Sequence, residues 1–591
     1  MAKAPKQAAR PARETAYQSY AWTQRLRAAF YGRAQLFIES AVAVALLAAV
    51  VVVDTIYLLN HGDRDVLQAV ADTLSLLSLQ GSGQNGAKPG SLLLLFNVLF
   101  SVLLVQTLLN SVRALIVRRT PQVRQLGMAS VCNRHVIVCG LGRLGLRVAT
   151  RLVESGYAAV VVEKDWSSEF VPRALAMQVP VVTGDARDPQ VLRAAGLRRA
   201  VAVVAGIDDD LLDVEIALAA RTEAPGKRVI LRAFSEDFDQ ALEASFGPDT
   251  AFSVSRLGAP TFAAASISRA VEHVLPLDDE LLPVSDIVVP AESRLPATVE
   301  DLERMYRIRV VAHVNRAKHP VSMRSARNLS EGDQITIIGT LEAHEAVHGL
   351  LPTGAPGALP APPLLPHPTA ELDTVVVCGH GKVGYRVVRW LLNRPSPPRI
   401  VVVHQPGADT LFPAEIQALG VEEVIGDARD PAILRQAHLE RAFAIAAVTS
   451  DDLTNLRIGM EARRLRGDVH VVLRVFSDNL AENLVDLFGI HTAFSTSDLA
   501  SSTLAAAAEI GDVDHAFSTE GRLFALDRLA AGERLAGASV ETVRKEHGAV
   551  VIGLSRGGAR TTLPGPGERI AQGDGVWVVA TLAALRALRR A

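Results

Sequence analysis

Four stretches of this chain occur twice, and that duplication limits its architecture more than any other feature. VIVCGLGRLGLRV at 136–148 returns as VVVCGHGKVGYRV at 375–387, and GDARDP occupies both 184–189 and 426–431. LRAFSE at 231–236 returns as LRVFSD, and FGPDTAFSVS at 246–255 as FGIHTAFSTS. The offset is 239 residues between the glycine motifs (Gly140 to Gly379) and 242 at the other three matches (Gly184 to Gly426). Solenoid repeats are several-fold shorter, so this period describes two copies of one domain. A chain of 591 residues also exceeds what a single core serves.

Each copy opens with an apolar strand, a glycine turn and a helix. In the first, Gly140 makes the tight turn, Gly142 lets a phosphate approach the backbone, and Gly145 lets helix and strand pack closely. Leu141, Arg143 and Leu144 complete the loop and helix start, whose free amides and positive dipole end suit a phosphate. A second strand, AVVVE, ends at Glu163, 23 residues after Gly140, where a carboxylate accepts hydrogen bonds from a ribose diol. The pattern predicts a Rossmann-type parallel sheet that binds NAD(H) or an adenine nucleotide. The bland alternative is the same fold with an empty crevice. High aliphatic and low aromatic content (5%) suits such sheets, whose strands are buried on both faces.

The second copy keeps Gly379, Gly381 and Gly384 but has His404 in place of Glu163. An imidazole cannot replace the carboxylate as a paired ribose acceptor; protonated, it suits a phosphate, and otherwise the site is vestigial. A nucleotide is therefore expected in the first copy, and the second is left open. Asp185 with Ala186, and Asp427, begin the loops after the third strands, where open parallel sheets bind ligands. Arg187 and Arg429 either meet a phosphate or pair locally with Asp188 and Asp430, and the local pair is the commoner use. Asp208, Asp209 and Asp210 read as a solvated loop and helix N-cap rather than a cation site.

Nothing in the spacing of His, Cys, Asp and Glu predicts a metal site. Cys132, Cys139 and Cys378 form no pair or framework; they read as reduced thiols, two of them buried at equivalent strand ends. No acid–base pair or substrate domain adjoins either glycine loop, so catalysis is not expected and an oxidoreductase ranks last. A net charge of −2 gives no signal for nucleic acid.

A smaller α+β segment follows each Rossmann unit. Strands are predicted at 308–314 and 334–340 after a helix at 298–306, and at 549–555 and 575–581 after a helix at 540–547. The Pro-rich stretch 352–368 separates the copies as a semi-extended spacer.

Upstream lie two apolar runs, 36–59 and 92–112, each long enough to span a bilayer. Basic residues cluster before the first (Lys3 to Arg33) and after the second (Arg113 to Arg124), while the intervening loop carries only Arg64 and Lys88. The positive-inside rule then puts both termini in the cytoplasm. Within that loop, 65–79 has helical periodicity and runs into Gly81-Ser82-Gly83. It is either a re-entrant pore loop or an extracellular amphipathic helix with a flexible turn.

Glycine motifs, strand-end acid, paired GDARDP loops and trailing subdomains together resemble the RCK family, the regulators of potassium conductance in prokaryotic potassium channels and uptake systems. The resemblance covers about 133–591. It implies a two-helix transmembrane pore module joined to two α/β Rossmann-like RCK domains, each followed by a small α+β C-terminal subdomain. The ranges are a cytoplasmic N-terminus at 1–34, the two-span module at 35–120, a Rossmann domain at 133–275, its subdomain at 276–350, a linker at 351–371, and the second pair at 372–514 and 515–591. It further implies an inner-membrane homotetramer embedded in lipid, passing a monovalent cation such as potassium and gated by nucleotide or ion binding to a cytosolic ring. The alternative is a non-conducting, membrane-anchored nucleotide sensor. Placed on the family's Thr-Val-Gly-Tyr-Gly filter, Leu79-Gln80-Gly81-Ser82-Gly83 keeps both glycines and none of the other three residues.

Overall fold

The computed structural model describes Val52, Ile56 and, from Pro121 to Arg590, all residues except 234–241, 248–249, 270, 292, 322–327, 353–371, 406–412, 477–489, 491 and 533–534. The two apolar runs, the loop between them and the filter-like Leu79–Gly83 lie outside the described residues. No helix among the described residues is long and apolar enough to cross a membrane. The chain divides near Cys132 into two compact units. The described part of the first is essentially the helix Pro121–Val131.

In the second unit each repeat builds a six-stranded sheet. The first contains β1 (Val136–Cys139), β2 (Ala159–Glu163), β3 (Val181–Thr183), β4 (Ala202–Ala205), β5 (Arg228–Ala233) and β6 (Ala251–Ser253), in the order 3-2-1-4-5-6. Strand β1 is apolar at every position and buried at every position. That is what a parallel sheet covered on both faces requires. It pairs in parallel with β2 on one side and β4 on the other, so chain order reverses there. The crevice of an open sheet forms at such a reversal, outside the carboxyl ends of the strands.

A four-stranded antiparallel sheet follows: β7 (His273–Leu277), β8 (Glu280–Val288), β9 (Arg309–Val314) and β10 (Gln334–Ile338), ordered 7-8-10-9. The second repeat copies the plan. Its parallel sheet holds β11 (Thr374–Cys378), β12 (Arg399–His404), β13 (Glu422–Ile425), β14 (Ala442–Ala447), β15 (His470–Arg474) and β16 (Thr492–Phe494), ordered 13-12-11-14-15-16. Its antiparallel sheet holds β17 (His515–Thr519), β18 (Arg522–Ala530), β19 (Val550–Arg556), β20 (Ala559–Thr562) and β21 (Gly575–Thr581), ordered 17-18-21-19-20.

The copies exchange helices. Val254–Ala265 follows β6, yet packs against the first helix of the other repeat, Lys382–Leu392. Its Phe262 and Ala263 share a core with Val375, Val377 and Val387 of the second sheet. Thr496–Ile510 reciprocates, packing on Arg143–Glu154 and on β4 and β5 of the first sheet. A helix with two partners has no solvent face: positions 257–265 and 499–510 are buried without interruption. Both helices are rich in Ala, whose small side chain admits two close neighbours at once. The exchange is fastened by matching polar contacts. Arg147 donates to Ser495 and Ser497 Oγ, and its counterpart Arg386 donates to Ser255 Oγ. Arg151 Nη2 lies 2.9 Å from Asp498 Oδ1.

The antiparallel sheets also share a core, in which Leu275, Leu277 and Leu282 meet Phe517, Phe524 and Trp577. Thr519 Oγ1 donates to the Asp286 carboxylate across that contact, and Thr336, paired with Asp286 in the same sheet, donates to it as well. A buried ion pair joins Arg544 Nη1 to Glu303 Oε2 at 2.5 Å. The predicted strands and helices of these segments are present at β9, β10, β19, β21, Val299–Tyr306 and Val540–His547. Strands β7, β8, β17, β18 and β20 were not predicted. In β8, ELLPVSDIV, the interruptions Pro283, Ser285 and Asp286 hide the strand, and the partner subdomain supplies part of its burial.

Candidate functional site

The two crevices are one site. A cavity of about 1050 Å³ is lined by both glycine loops, by the loops following β2, β3, β12 and β13, and by Phe476 and Arg474. Of the residues expected to bind a cofactor, Gly140, Leu141, Gly142, Arg143, Leu144, Glu163, Asp185, Ala186, Gly379, Gly381 and Asp427 line it. Gly145 and Gly384 lie beneath, where a Cβ would stand 1.9 Å from Gly140 O and 2.0 Å from Gly379 O. Glycine is thus required there by helix–strand approach, while Gly140, at φ +89°, is required by the turn itself.

The first crevice fits a nucleotide. The helix Arg143–Glu154 has Gly142 at its N-cap and no side-chain cap, so its first amides lack a side-chain acceptor. A Cβ on Gly142 would meet no protein atom within 4 Å. Open space at a helix N-terminus is what an approaching phosphate needs. Glu163 lies at the predicted strand end. Its Oε2 accepts from Leu141 N at 2.6 Å and its Oε1 from Asp165 N at 2.9 Å. Those contacts fix the carboxylate beside the glycine turn, and each oxygen keeps a lone pair for a ribose hydroxyl.

Asp185 is bound by Arg187, with Nη2 to Oδ2 at 2.8 Å, and by Lys164 at 3.4 Å. The hydrogen bond from Arg187 holds its carboxyl well below the usual carboxylate range. Asp427 and Arg429 repeat the arrangement, and Asp427 is held down to about 2. The local pairs expected of these arginines therefore exist with different acids. Asp188 and Asp430 instead cap the next helices, accepting from Gln190 N and Ala432 N. Each GDARDP loop is prefolded by its own charges. The Asp208–Asp210 run does provide an N-cap: Asp209 accepts from Leu211 N and Leu212 N.

Several residues of the site lie outside the expected set, although Arg474 and Phe476 belong to the duplicated LRVFSD stretch. Phe476 has the guanidinium of Arg474 over its ring at 4.4 Å, and that of Arg143, from the other repeat, at 5.9 Å. Behind the second crevice, Asn455 Oδ1 accepts from Thr449 N while Nδ2 donates to Thr449 O and Arg474 O. Its counterpart is Asp213, whose Oδ1 accepts from Ile207 N and whose buried Oδ2 has no hydrogen-bond partner. Burial pushes the Asp213 carboxyl up to about 8. In the second glycine turn sits His380, with His404 stacked beside it and Glu423 within reach. These three come from separate elements, 24 and 19 residues apart, a spacing without a motif. Cys139 and Cys378 are wholly buried strand-end thiols, pushed up by desolvation and so unreactive.

A paired set of doubly wound sheets with exchanged helices and a shared crevice defines a tandem ligand-binding module. Residues 136–254 and 375–496 match the TrkA-N domain, and residues 525–591 the TrkA-C domain. The chain carries these RCK-type domains and is homologous to TrkA. A Trk system potassium uptake protein TrkA homolog of Archaeoglobus fulgidus is 23% identical over 335 residues, 56% of this chain and 71% of that protein. A Trk system potassium uptake protein TrkA of Mycobacterium tuberculosis is 23% identical over 216 residues, 36% of this chain and 97% of that protein. The structure of the GsuK channel bound to NAD superposes with a TM-score of 0.53 at 16% identity, over 95% of this chain and 99% of that one. At that identity the likeness is one of fold.

Proposed function

We propose that this protein is a potassium-channel-like membrane protein whose RCK pair senses a nucleotide. The observation carrying this reading is the single cavity formed by both glycine loops between repeats that have exchanged helices. A ligand filling that cavity touches both repeats, so its affinity depends on how far apart they stand. A ligand shifts a conformational equilibrium only through such a difference in affinity. NAD(H) or an adenine nucleotide enters the first crevice, with its phosphates at the Gly142 helix N-terminus and its ribose on Glu163. Support comes from the uncapped helix, from the placed carboxylate, and from the likeness to a channel solved with NAD.

The module binds its ligand without turning it over, and its movement is transmitted to the segment before Pro121. The apolar runs at 36–59 and 92–112 give that segment two spans of the inner membrane, with both termini cytoplasmic. Four copies surround one pore, and Gly81 and Gly83 give the filter its backbone freedom. With Leu79, Gln80 and Ser82 in place of Thr, Val and Tyr, discrimination between potassium and sodium is weak.

The test is cation flux from liposomes holding the purified full chain, in potassium and in sodium, with NAD, NADH or ATP on the cytoplasmic side. Flux that changes with one nucleotide and is abolished by a bulky residue at Gly81 supports the proposal. No flux under any ligand, with nucleotide binding intact, leaves a sensor acting on another protein. Turnover of bound NAD(H) would replace both readings with an enzyme.

A further inference from the structure

The second crevice departs from the first at three positions, and the departures converge on one point. Where the first repeat has Leu141, Glu163 and Val181, the second has His380, His404 and Glu423. The ligand-capable atoms of these side chains all lie within 4.8 Å of one another. His404 Nε2 is 3.2 Å from Glu423 Oε2, and His380 Nε2 is 3.9 Å from the same oxygen. A tetrahedral ion with bonds of about 2.0–2.2 Å separates neighbouring ligand atoms by roughly 3.4 Å, which these distances bracket.

Three further observations favour an ion here. The His380 side chain is only 2% exposed, yet neither ring nitrogen makes a hydrogen bond. A buried imidazole with both nitrogens unbonded is costly unless something else occupies them. His404 Nε2 lies 3.2 Å from Glu423 Oε2 and its Nδ1 3.4 Å from Gln405 O, so an ion bound between the imidazole and the carboxylate takes the place of the proton they share. The Glu423 carboxylate faces both imidazoles, which argues against a phosphate and for a cation. Residues 380 and 404 also line the shared cavity, so a coordination position beyond the three side chains opens onto it.

We propose that the second crevice is a divalent transition-metal site of the zinc class, formed by His380 Nε2, His404 Nε2 and the Glu423 carboxylate, with its open position toward the shared cavity. Two imidazoles and one carboxylate suit zinc, cobalt or nickel rather than calcium or magnesium, which prefer oxygen ligands. The rings now stack at 4.3 Å with an 18° tilt, so binding turns them until both lone pairs converge. The site goes beyond the nucleotide reading and does not depend on it.

Cobalt(II) is the probe, because its visible d–d bands report coordination number. The full chain, purified without a histidine tag and stripped with a chelator, is titrated with Co²⁺ in the absence of nucleotide and then back-titrated with Zn²⁺. One ion per chain is expected, with the strong bands of four- or five-coordination and no sulfur charge-transfer band. His380→Leu, which copies the first repeat, and Glu423→Gln, which keeps side-chain volume, should each weaken binding by at least about 10-fold. Circular dichroism establishes that each variant is folded, and Glu423→Gln decides the matter should His380→Leu not fold. His438→Gln is the control for surface binding, since His438 is a half-buried histidine outside the crevice, beside Glu422 and Glu440. The proposal is overturned if no ion binds, if Glu423→Gln binds as tightly as the natural protein, if His438→Gln alone removes binding, or if the spectrum shows thiolate ligation.

Discussion

At the scale of single residues, the repeats work as each other's controls. Glu163 fixes the glycine turn through Leu141 N and presents its remaining lone pairs to the cavity. Glu163→Ala should therefore weaken nucleotide binding by about 10-fold or more, since hydrogen bonds to a charged group contribute about 1.5–3 kcal/mol. Calorimetry showing unchanged affinity would remove the ribose assignment. Asp213 and Asn455 make a second natural comparison. With the Asp213 carboxyl raised to about 8, the folded state binds a proton that the unfolded state releases above its ordinary pKa of about 4. Stability from this residue is thus full below pH 4 and falls as pH rises toward 8. Asp213→Asn supplies the amide donor that Asn455 uses, so it should stabilise the protein by about 1–3 kcal/mol near pH 7.5. It should also flatten that part of the pH profile, as followed by thermal unfolding.

At the scale of elements, the glycine turns and the sheet contacts make separate demands. Gly145→Ala or Gly384→Ala drives a methyl into a carbonyl oxygen, and should cost about 1–3 kcal/mol in urea unfolding. Gly467→Ala, with nothing within 4 Å of its added carbon, should change stability by less than about 0.5 kcal/mol. Where β7 faces β17, His273 and His515 lie 5.4 Å apart, ring to ring. Burial holds both near 3, with Arg151 disfavouring charge on His273, and His273 and Arg256 disfavouring it on His515. The unfolded state takes up these protons first, so stability should decline as pH falls from about 6.5 toward 3. Replacing both by Phe keeps an aromatic pair and should remove that acid sensitivity.

At the scale of the whole molecule, exchanged helices make the two repeats one folding unit. Residues 133–350 expressed alone would expose the surface that Thr496–Ile510 covers, along β4, β5 and Arg143–Glu154. Each half alone should be insoluble or pair with its own copy, and co-expression of 133–350 with 372–591 should restore a soluble complex. Two independently soluble monomers in size-exclusion chromatography would contradict the exchange.

Much of this was legible in the chain. Duplicated glycine motifs, strand-end Glu163, the aspartate N-cap and the helix-strand pattern of the trailing segments all rest on local chemistry, where neighbours in sequence are neighbours in space. Strands β7, β8, β17, β18 and β20 were not legible, because part of their burial comes from the other subdomain. Nor could spacing reveal that the crevices share one cavity, that Val254–Ala265 serves the opposite repeat, or that His380, His404 and Glu423 meet. Each of those depends on contacts between distant segments, and such contacts are set by how whole sheets pack, which no local pattern encodes.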